Sequence, residues 1–147
     1  FSKSFSLAGF RLGIAVARPE IVREFLKTKD SYNVNAASQA AGLAAIADYP
    51  LMEANAQKIR TTRSRLSEDL RALGFRVPPS QANFVLAIWD GKPCAREIYL
   101  RLRKRRILVR YFDARRLENA LRISIGTDPE IDALVAILKE VLRADEK

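Results

Sequence analysis

The apolar pattern from residue 51 onward predicts the element order α-β-α-β-β-α, which leaves few folds open to this chain. Segments rich in apolar and β-branched residues are typical of strands, and there are three of them, at residues 82–89, 107–112 and 120–125. Apolar residues at helical spacing predict three helices, at residues 51–73, 95–104 and 131–142. Such an order predicts a compact α/β lobe whose helices pack on a small sheet.

The first 50 residues predict a different unit, because they contain a single strand-like segment at residues 12–17. Pro19 is suited to the first turn of a helix, and a second, alanine-rich helix is expected at residues 36–47. A lone strand leaves its backbone hydrogen bonds incomplete. We therefore expect residues 1–50 to be the end of a larger lobe whose other strands lie upstream, and residues 51–147 to be a small α/β lobe.

The composition excludes several kinds of catalytic site. Histidine is absent and Cys94 is the only cysteine, so the chain has no histidine triad, no cysteine-rich metal site and no internal disulfide. No apolar run approaches the ~20 residues of a membrane-spanning helix, and no signal peptide is recognisable. We expect a cytoplasmic protein without a metal or a membrane partner, whose chemistry uses Lys, Arg, Tyr, Ser or a carboxylate.

The net charge of +9 leaves two kinds of anionic ligand open. A basic surface can bind nucleic acid, which would make the chain a non-catalytic basic fragment. Much of the excess charge lies in residues 96–116, and such a run is typical of a solvated helix end and loop. The alternative is that one or two of these arginines bind a small anionic ligand, and we expect this rather than nucleic-acid binding.

Lys3 and Arg11 are candidates for binding a phosphorylated aldehyde cofactor. A lysine amine forms a Schiff base with an aldehyde, and an arginine together with a hydroxyl such as that of Ser2 suits a phosphate. Gly9, in the small-residue loop between them, allows the backbone to turn tightly beside a ligand. The same residues are also typical of an exposed lysine near a chain end.

Residues 1–13, FSKSFSLAGFRLG, resemble the cofactor-lysine segment of fold-type I pyridoxal-phosphate (PLP) dependent aminotransferases. The family pattern there is close to S-K-x-[FY]-G-L-A-G-x-R-x-G. The resemblance implies that Lys3 carries PLP and moves the α-proton of the substrate, and that Ser2 and Arg11 bind the cofactor phosphate. Ser6 departs from the pattern, because the family usually has glycine at that position.

Four later segments are similar to histidinol-phosphate aminotransferases: YNVNAASQAA at 32–41, PSQANF at 79–84, ILVRYF at 107–112 and LRISIGT at 121–127. The resemblance implies that Arg122 binds the substrate α-carboxylate and that Arg110 binds the distal phosphate of the substrate. Both arginines could instead point into solvent. Asn83 either binds a substrate carboxylate or ties the junction of the lobes. Arg106 stands where the family usually has glycine.

Four other residues are given structural interpretations. Phe84 and Trp89 are expected in the core, and Tyr32 and Cys94 are also interpreted as structural.

The resemblance as a whole implies fold type I and amino transfer between histidinol phosphate and 2-oxoglutarate in histidine biosynthesis. It also implies PLP as cofactor, small amino-acid and oxo-acid substrates, and a homodimer. An aromatic aminotransferase or an amino-acid phosphate decarboxylase of the same branch would keep Lys3, Arg11 and Arg122. Upstream segments supply an acidic and an aromatic cofactor contact in the family, so we expect this chain by itself to be incomplete and inactive.

Overall fold

The computed structural model describes residues 1–143, and they form two compact units, one from Phe1 to Ala56 and one that begins at Gln57. Helix α3, Tyr49–Ala72, contributes residues to both units. The predicted division of the chain at residue 50 stays a prediction.

Helices dominate the first unit. Helix α1 spans Pro19–Thr28, helix α2 spans Ala36–Ala47, and a short 3-10 helix covers Ala8–Phe10. Pro19 occupies the first turn of α1, where a missing backbone N–H costs nothing. The side chain of Asn35 caps α2 by accepting a hydrogen bond of 2.8 Å from the backbone N–H of Ser38. Both predicted helices of this unit are confirmed.

The predicted strand at residues 12–17 is wrong, because that segment forms no regular secondary structure. Its side chains are largely open to solvent: Ile14 is 68% exposed and Val16 is 94% exposed. β-branched residues favour an extended backbone, but a strand also needs a neighbour to complete its hydrogen bonds. No described residue of the first unit pairs with this segment.

The second unit contains a three-stranded antiparallel sheet in the order β1-β3-β2. Strand β1 is Phe84–Ile88, β2 is Arg110–Tyr111 and β3 is Ala120–Ser124. Helix α4, Ala95–Lys104, lies between β1 and β2 in the chain, and helix α5, Asp128–Arg143, follows β3. Together with the end of α3 these elements confirm the predicted order and the α/β fold. Strand β2 is shorter than predicted, because only two of its residues pair with β3.

One face of this sheet carries the hydrophobic core. Val85 and Ala87 of β1 alternate with more exposed neighbours, and Leu121 and Ile123 of β3 do the same. These side chains pack against buried residues of the three helices, among them Leu66, Leu70, Ile98, Leu102, Leu134 and Leu138. Burying each large aliphatic side chain contributes on the order of 1.5–3 kcal/mol. The opposite face of the sheet carries the apolar residues Phe84, Leu86 and Ile88 of β1 and the exposed arginines of β2 and β3.

A polar cluster joins α3 to the beginning of α5. The hydroxyl of Thr62, which is buried, donates a 2.9 Å hydrogen bond to the Asp128 carboxylate. Arg65 donates to the same carboxylate at 2.9 Å and also pairs with Asp132. The hydrogen bond from Arg65, followed by that from Thr62, holds the pKa of Asp128 below its ordinary value. This cluster holds α5, which follows directly on β3, against α3.

Candidate active site

The loop that carries Lys3 is closed by its own backbone hydrogen bonds. The N–H groups of Phe5 and Leu7 both donate to the carbonyl of Phe1, and the N–H of Ser6 donates to the carbonyl of Lys3 at 3.2 Å. Ser6 has a φ of 56°, in the left-handed region that glycine adopts most easily. The loop therefore takes a glycine-type conformation at the position where the related family usually has glycine.

Helix α2 fixes this loop at two points. The hydroxyl of Ser38, which is only 2% exposed, donates a 2.8 Å hydrogen bond to the carbonyl of Phe10. Gly42, one helical turn later, lies against Leu12, since a Cβ atom at Gly42 would come within 2.4 Å of the Leu12 side chain. Any side chain at 42 would therefore require the Leu12 side chain to move. Both contacts hold the backbone on either side of Arg11 in a defined place.

Three side chains of this loop suit a phosphorylated aldehyde. The Lys3 side chain is exposed and makes no hydrogen bond or ion pair with another described residue, so its amine is available to a ligand. Arg11 is also exposed, has a φ of 52°, and donates one hydrogen bond to the carbonyl of Ala8 at 3.0 Å. The remaining guanidinium donors of Arg11 and the hydroxyl of Ser2 can serve a phosphate. The set of an amine, a hydroxyl and a guanidinium fits PLP.

In the second unit, Arg110 and Arg122 lie directly opposite each other on β2 and β3. Both side chains are exposed, on the face of the sheet that does not carry the core. Neither arginine forms an ion pair with a carboxylate anywhere in residues 1–143. Like charges at directly opposite positions of a sheet repel each other. An anion bound between the two guanidinium groups would remove that repulsion.

Two phenylalanine rings stand beside these arginines. The guanidinium carbon of Arg110 lies 5.2 Å from the centroid of the Phe112 ring. The guanidinium carbon of Arg122 lies 5.6 Å from the Phe112 centroid and 5.4 Å from the Phe84 centroid. These distances are within the range of cation–π attraction. The rings and the two cations thus form one cluster on the exposed face of the sheet.

The prediction that Phe84 belongs to the core is wrong. Phe84 is 37% exposed and precedes the buried Val85, so it lies on the arginine side of the sheet. Phe112 was not recognised from the sequence as a site residue. Its separation of two residues from Arg110 was the available signal, because side chains two apart on a strand share a face.

Asn83 lies immediately before β1 and next to Phe84 of this cluster. Its carbonyl accepts a 2.9 Å hydrogen bond from the N–H of Ile125, while its side chain is exposed. The preceding turn is held by Ser80, whose hydroxyl donates to the carbonyl of Phe84 at 2.7 Å, and by Arg63, which donates to the carbonyl of Ala82 at 2.8 Å. The backbone of Asn83 thus has a structural role, and its side-chain amide is available to a ligand.

The remaining sequence candidates divide into core and surface residues. Trp89 packs its ring 4.7 Å from that of Phe75 and donates its indole N–H to the carbonyl of Pro93, which confirms its place beside the core. Cys94 caps helix α4. Tyr32 is 96% exposed and belongs to no core of its unit.

Within residues 1–143, no group of three or more His, Cys, Asp or Glu side chains is placed to hold a metal ion. None of the helices in that range is long and apolar enough to cross a membrane.

Comparison with known proteins defines the family. The family described as aminotransferase class I and II matches residues 1–138, so the chain belongs to it. A solved structure of a putative aminotransferase from Burkholderia pseudomallei K96243 has a TM-score of 0.85 at 35% identity and covers 95% of this chain and 42% of its own. This likeness confirms the prediction that the chain has the fold of part of a fold-type I aminotransferase.

Two relatives carry a more particular name. The chain is 45% identical over 141 residues to the histidinol-phosphate aminotransferase of Citrifermentans bemidjiense, an alignment that covers 96% of this chain and 40% of the relative. The structure of histidinol-phosphate aminotransferase from Sinorhizobium meliloti in complex with PLP has a TM-score of 0.84 at 32% identity, covering 98% of this chain and 40% of that one. The chain spans about two fifths of the length of these relatives.

Proposed function

We propose that the whole protein is a PLP-dependent aminotransferase that transfers an amino group between histidinol phosphate and 2-oxoglutarate in histidine biosynthesis. The observation that carries the proposal is the pair of adjacent arginines, Arg110 and Arg122, which face solvent without a carboxylate partner in residues 1–143. The names and the identity of the relatives support the choice of substrate.

Ser2, Lys3 and Arg11 are the residues that would hold the cofactor. When bound, PLP supplies an electron sink for the α-carbon of the substrate. The Ser2 hydroxyl and the Arg11 guanidinium would bind its phosphate through charge-assisted hydrogen bonds. The Lys3 amine would bind its aldehyde carbon and then accept and return the proton of the substrate α-carbon. The exposed Lys3 amine has no competing partner within residues 1–143, which supports this role.

The two arginines would bind the anionic end of each substrate. Histidinol phosphate carries a phosphate group on the carbon next to the amine-bearing carbon, where glutamate carries its α-carboxylate. The same place must therefore receive a dianion in one half-reaction and a monoanion in the other. We infer that Arg122, on the central strand, binds both groups through its planar fork. Arg110 adds the second cation that the phosphate needs, and the amide of Asn83 donates to the carboxylate.

Amino-donor assays test this proposal against its alternatives. The holoenzyme should transfer the amino group of histidinol phosphate to 2-oxoglutarate, and it should do so far better than with histidinol, the same donor without the phosphate. Equal use of the two donors, or better use of an aromatic amino acid, would identify an aromatic aminotransferase. Release of CO₂ from an amino-acid phosphate without oxo-acid consumption would identify a decarboxylase.

We further propose a cytoplasmic homodimer. Most of the exposed large apolar side chains lie in the first unit, among them Ile21, Phe25, Leu26, Leu43 and Ile46. Apolar surface of this extent is typical of an interface, and a second copy together with the rest of the whole protein would cover it. The exposed free thiol of Cys94 supports a reducing compartment.

A further inference from the structure

Phe112 is the one side chain in the described cluster whose ring contacts both site arginines. Its centroid lies 5.2 Å from the Arg110 guanidinium carbon and 5.6 Å from that of Arg122. Phe84 offers a comparison within the same fold, because its ring contacts Arg122 alone, at 5.4 Å. Both phenylalanines lie beside the exposed face of the sheet, and Phe112 is the more covered of the two.

The two arginines need such a contact because nothing else among the described residues holds them together. They are register partners on β2 and β3, and no carboxylate in residues 1–143 forms an ion pair with either of them. Long arginine side chains that repel each other would spread into solvent and would have to be ordered again by each ligand. The negative face of an aromatic ring attracts a guanidinium within about 6 Å. One ring that attracts both groups keeps them near each other before a ligand arrives.

We propose that Phe112 is a positioning residue that preorganises Arg110 and Arg122 as a pair and thereby gives the site its preference for a phosphate over a carboxylate. The inference rests on the proposed function, because it assumes that these arginines receive the anionic end of the substrate. A carboxylate needs one guanidinium fork, whereas a phosphate dianion with three free oxygens can use two. Loss of the common ring should therefore weaken phosphate binding more than carboxylate binding.

Arginine NMR of the holoenzyme tests the geometry without relying on turnover. The side-chain Nε–H signals of Arg110 and Arg122 should carry ring-current shifts. Phe112→Leu should move both signals toward the chemical shifts of arginines that have no aromatic neighbour. Phe84→Leu should move mainly the signal of Arg122. Phe112→Tyr keeps a ring and should preserve both shifts. Signals that are unchanged in Phe112→Leu would overturn the proposal.

Steady-state kinetics and phosphate binding test the consequence. Phe112→Leu should raise the KM for histidinol phosphate about tenfold, because the phosphate uses both arginines and the ring contacts both. The KM for glutamate should rise about threefold, because the carboxylate uses Arg122 alone. The value of kcat should change less, and Phe112→Tyr should restore both KM values. Phe84→Leu should raise the two KM values by similar factors. A positioning role would be contradicted if Phe112→Leu and Phe112→Tyr raised the KM values equally. It would also be contradicted if Phe112→Leu left the ratio of the KM for histidinol phosphate to the KM for glutamate unchanged.

Calorimetric titration with inorganic phosphate separates this inference from the proposed function. The phosphate affinity of the holoenzyme should fall about tenfold in Phe112→Leu and be retained in Phe112→Tyr. If Phe112→Leu lowers the phosphate affinity as expected but the wild-type protein does not transaminate histidinol phosphate, the proposed function fails and the role of Phe112 stands. If it transaminates histidinol phosphate and Phe112→Leu binds phosphate like wild type, the role of Phe112 fails alone.

Discussion

Replacing Arg122 by alanine should weaken the binding of every substrate to the holoenzyme. Arg122 lies on the central strand β3, and its guanidinium has no ion pair to break within residues 1–143 before it binds a ligand. A lost charge-assisted contact costs about 1.5–3 kcal/mol, which corresponds to a rise of about 10- to 150-fold in the dissociation constant. Arg122→Lys keeps the charge but loses the planar fork, so it should recover only part of this loss.

Arg110→Ala is the matched comparison, because Arg110 is the direct cross-strand partner of Arg122. It should raise the KM for histidinol phosphate by a similar factor and leave the KM for glutamate within about threefold of wild type, since a carboxylate occupies one fork. Arg103→Ala, at an exposed position in the last turn of α4, controls for loss of surface charge and should alter neither value. Initial-rate kinetics with both donors would measure these effects. The reasoning fails if Arg110→Ala and Arg122→Ala show the same substrate profile.

Three further predictions concern the cofactor and the fold. Lys3→Ala should abolish transamination and the borohydride-sensitive visible absorbance of the holoenzyme; full turnover would remove Lys3 from the mechanism. Residues 1–147 expressed alone should bind PLP weakly and show no turnover, because Ile14 and Val16 lack a neighbouring strand; spectroscopic titration that shows stoichiometric binding with turnover would refute this. The lowered pKa of Asp128 implies stability that is present above its ordinary value of 3.8 and is lost as the pH falls through the folded value; Asp128→Asn should lack this component in urea unfolding followed below about pH 5, and identical pH profiles would contradict it.

The helices and the three strands of the sheet could be predicted because their signals are local, although β2 is shorter than its apolar segment. Pro19 acts within one helical turn, and apolar spacing defines the buried faces. The segment at residues 12–17 shows that local signals alone do not determine whether a strand forms. Its β-branched residues favour an extended backbone, but whether a strand forms depends on a neighbour that the local sequence does not describe.

Arg110 and Arg122 could be proposed as site residues by resemblance, but their arrangement could not be predicted. That Arg110 and Arg122 are direct partners depends on the register of β2 against β3, and a shift of one residue would place one of them on the core face. Phe84 was misassigned because the apolar run at residues 82–89 hides the alternation of its two faces. The cluster of two cations with two rings is thus a product of sheet register.

Two departures from the family pattern share one physical explanation. Ser6 and Arg106 stand where the related aminotransferases usually have glycine, and both adopt a positive φ, 56° and 62° respectively. A non-glycine residue in the left-handed region costs on the order of 1 kcal/mol, so the surrounding structure must fix the backbone at each place. At Ser6 the hydrogen bonds of the Lys3 loop do this, and at Arg106 the N–H donates to the carbonyl of Arg103 as helix α4 ends. The first turn shapes the segment that carries Lys3, the proposed cofactor lysine, and the second precedes strand β2, which contains Arg110 and is followed by Phe112. Hydrogen bonding thus accompanies a positive φ in both of the segments on which the proposed chemistry depends.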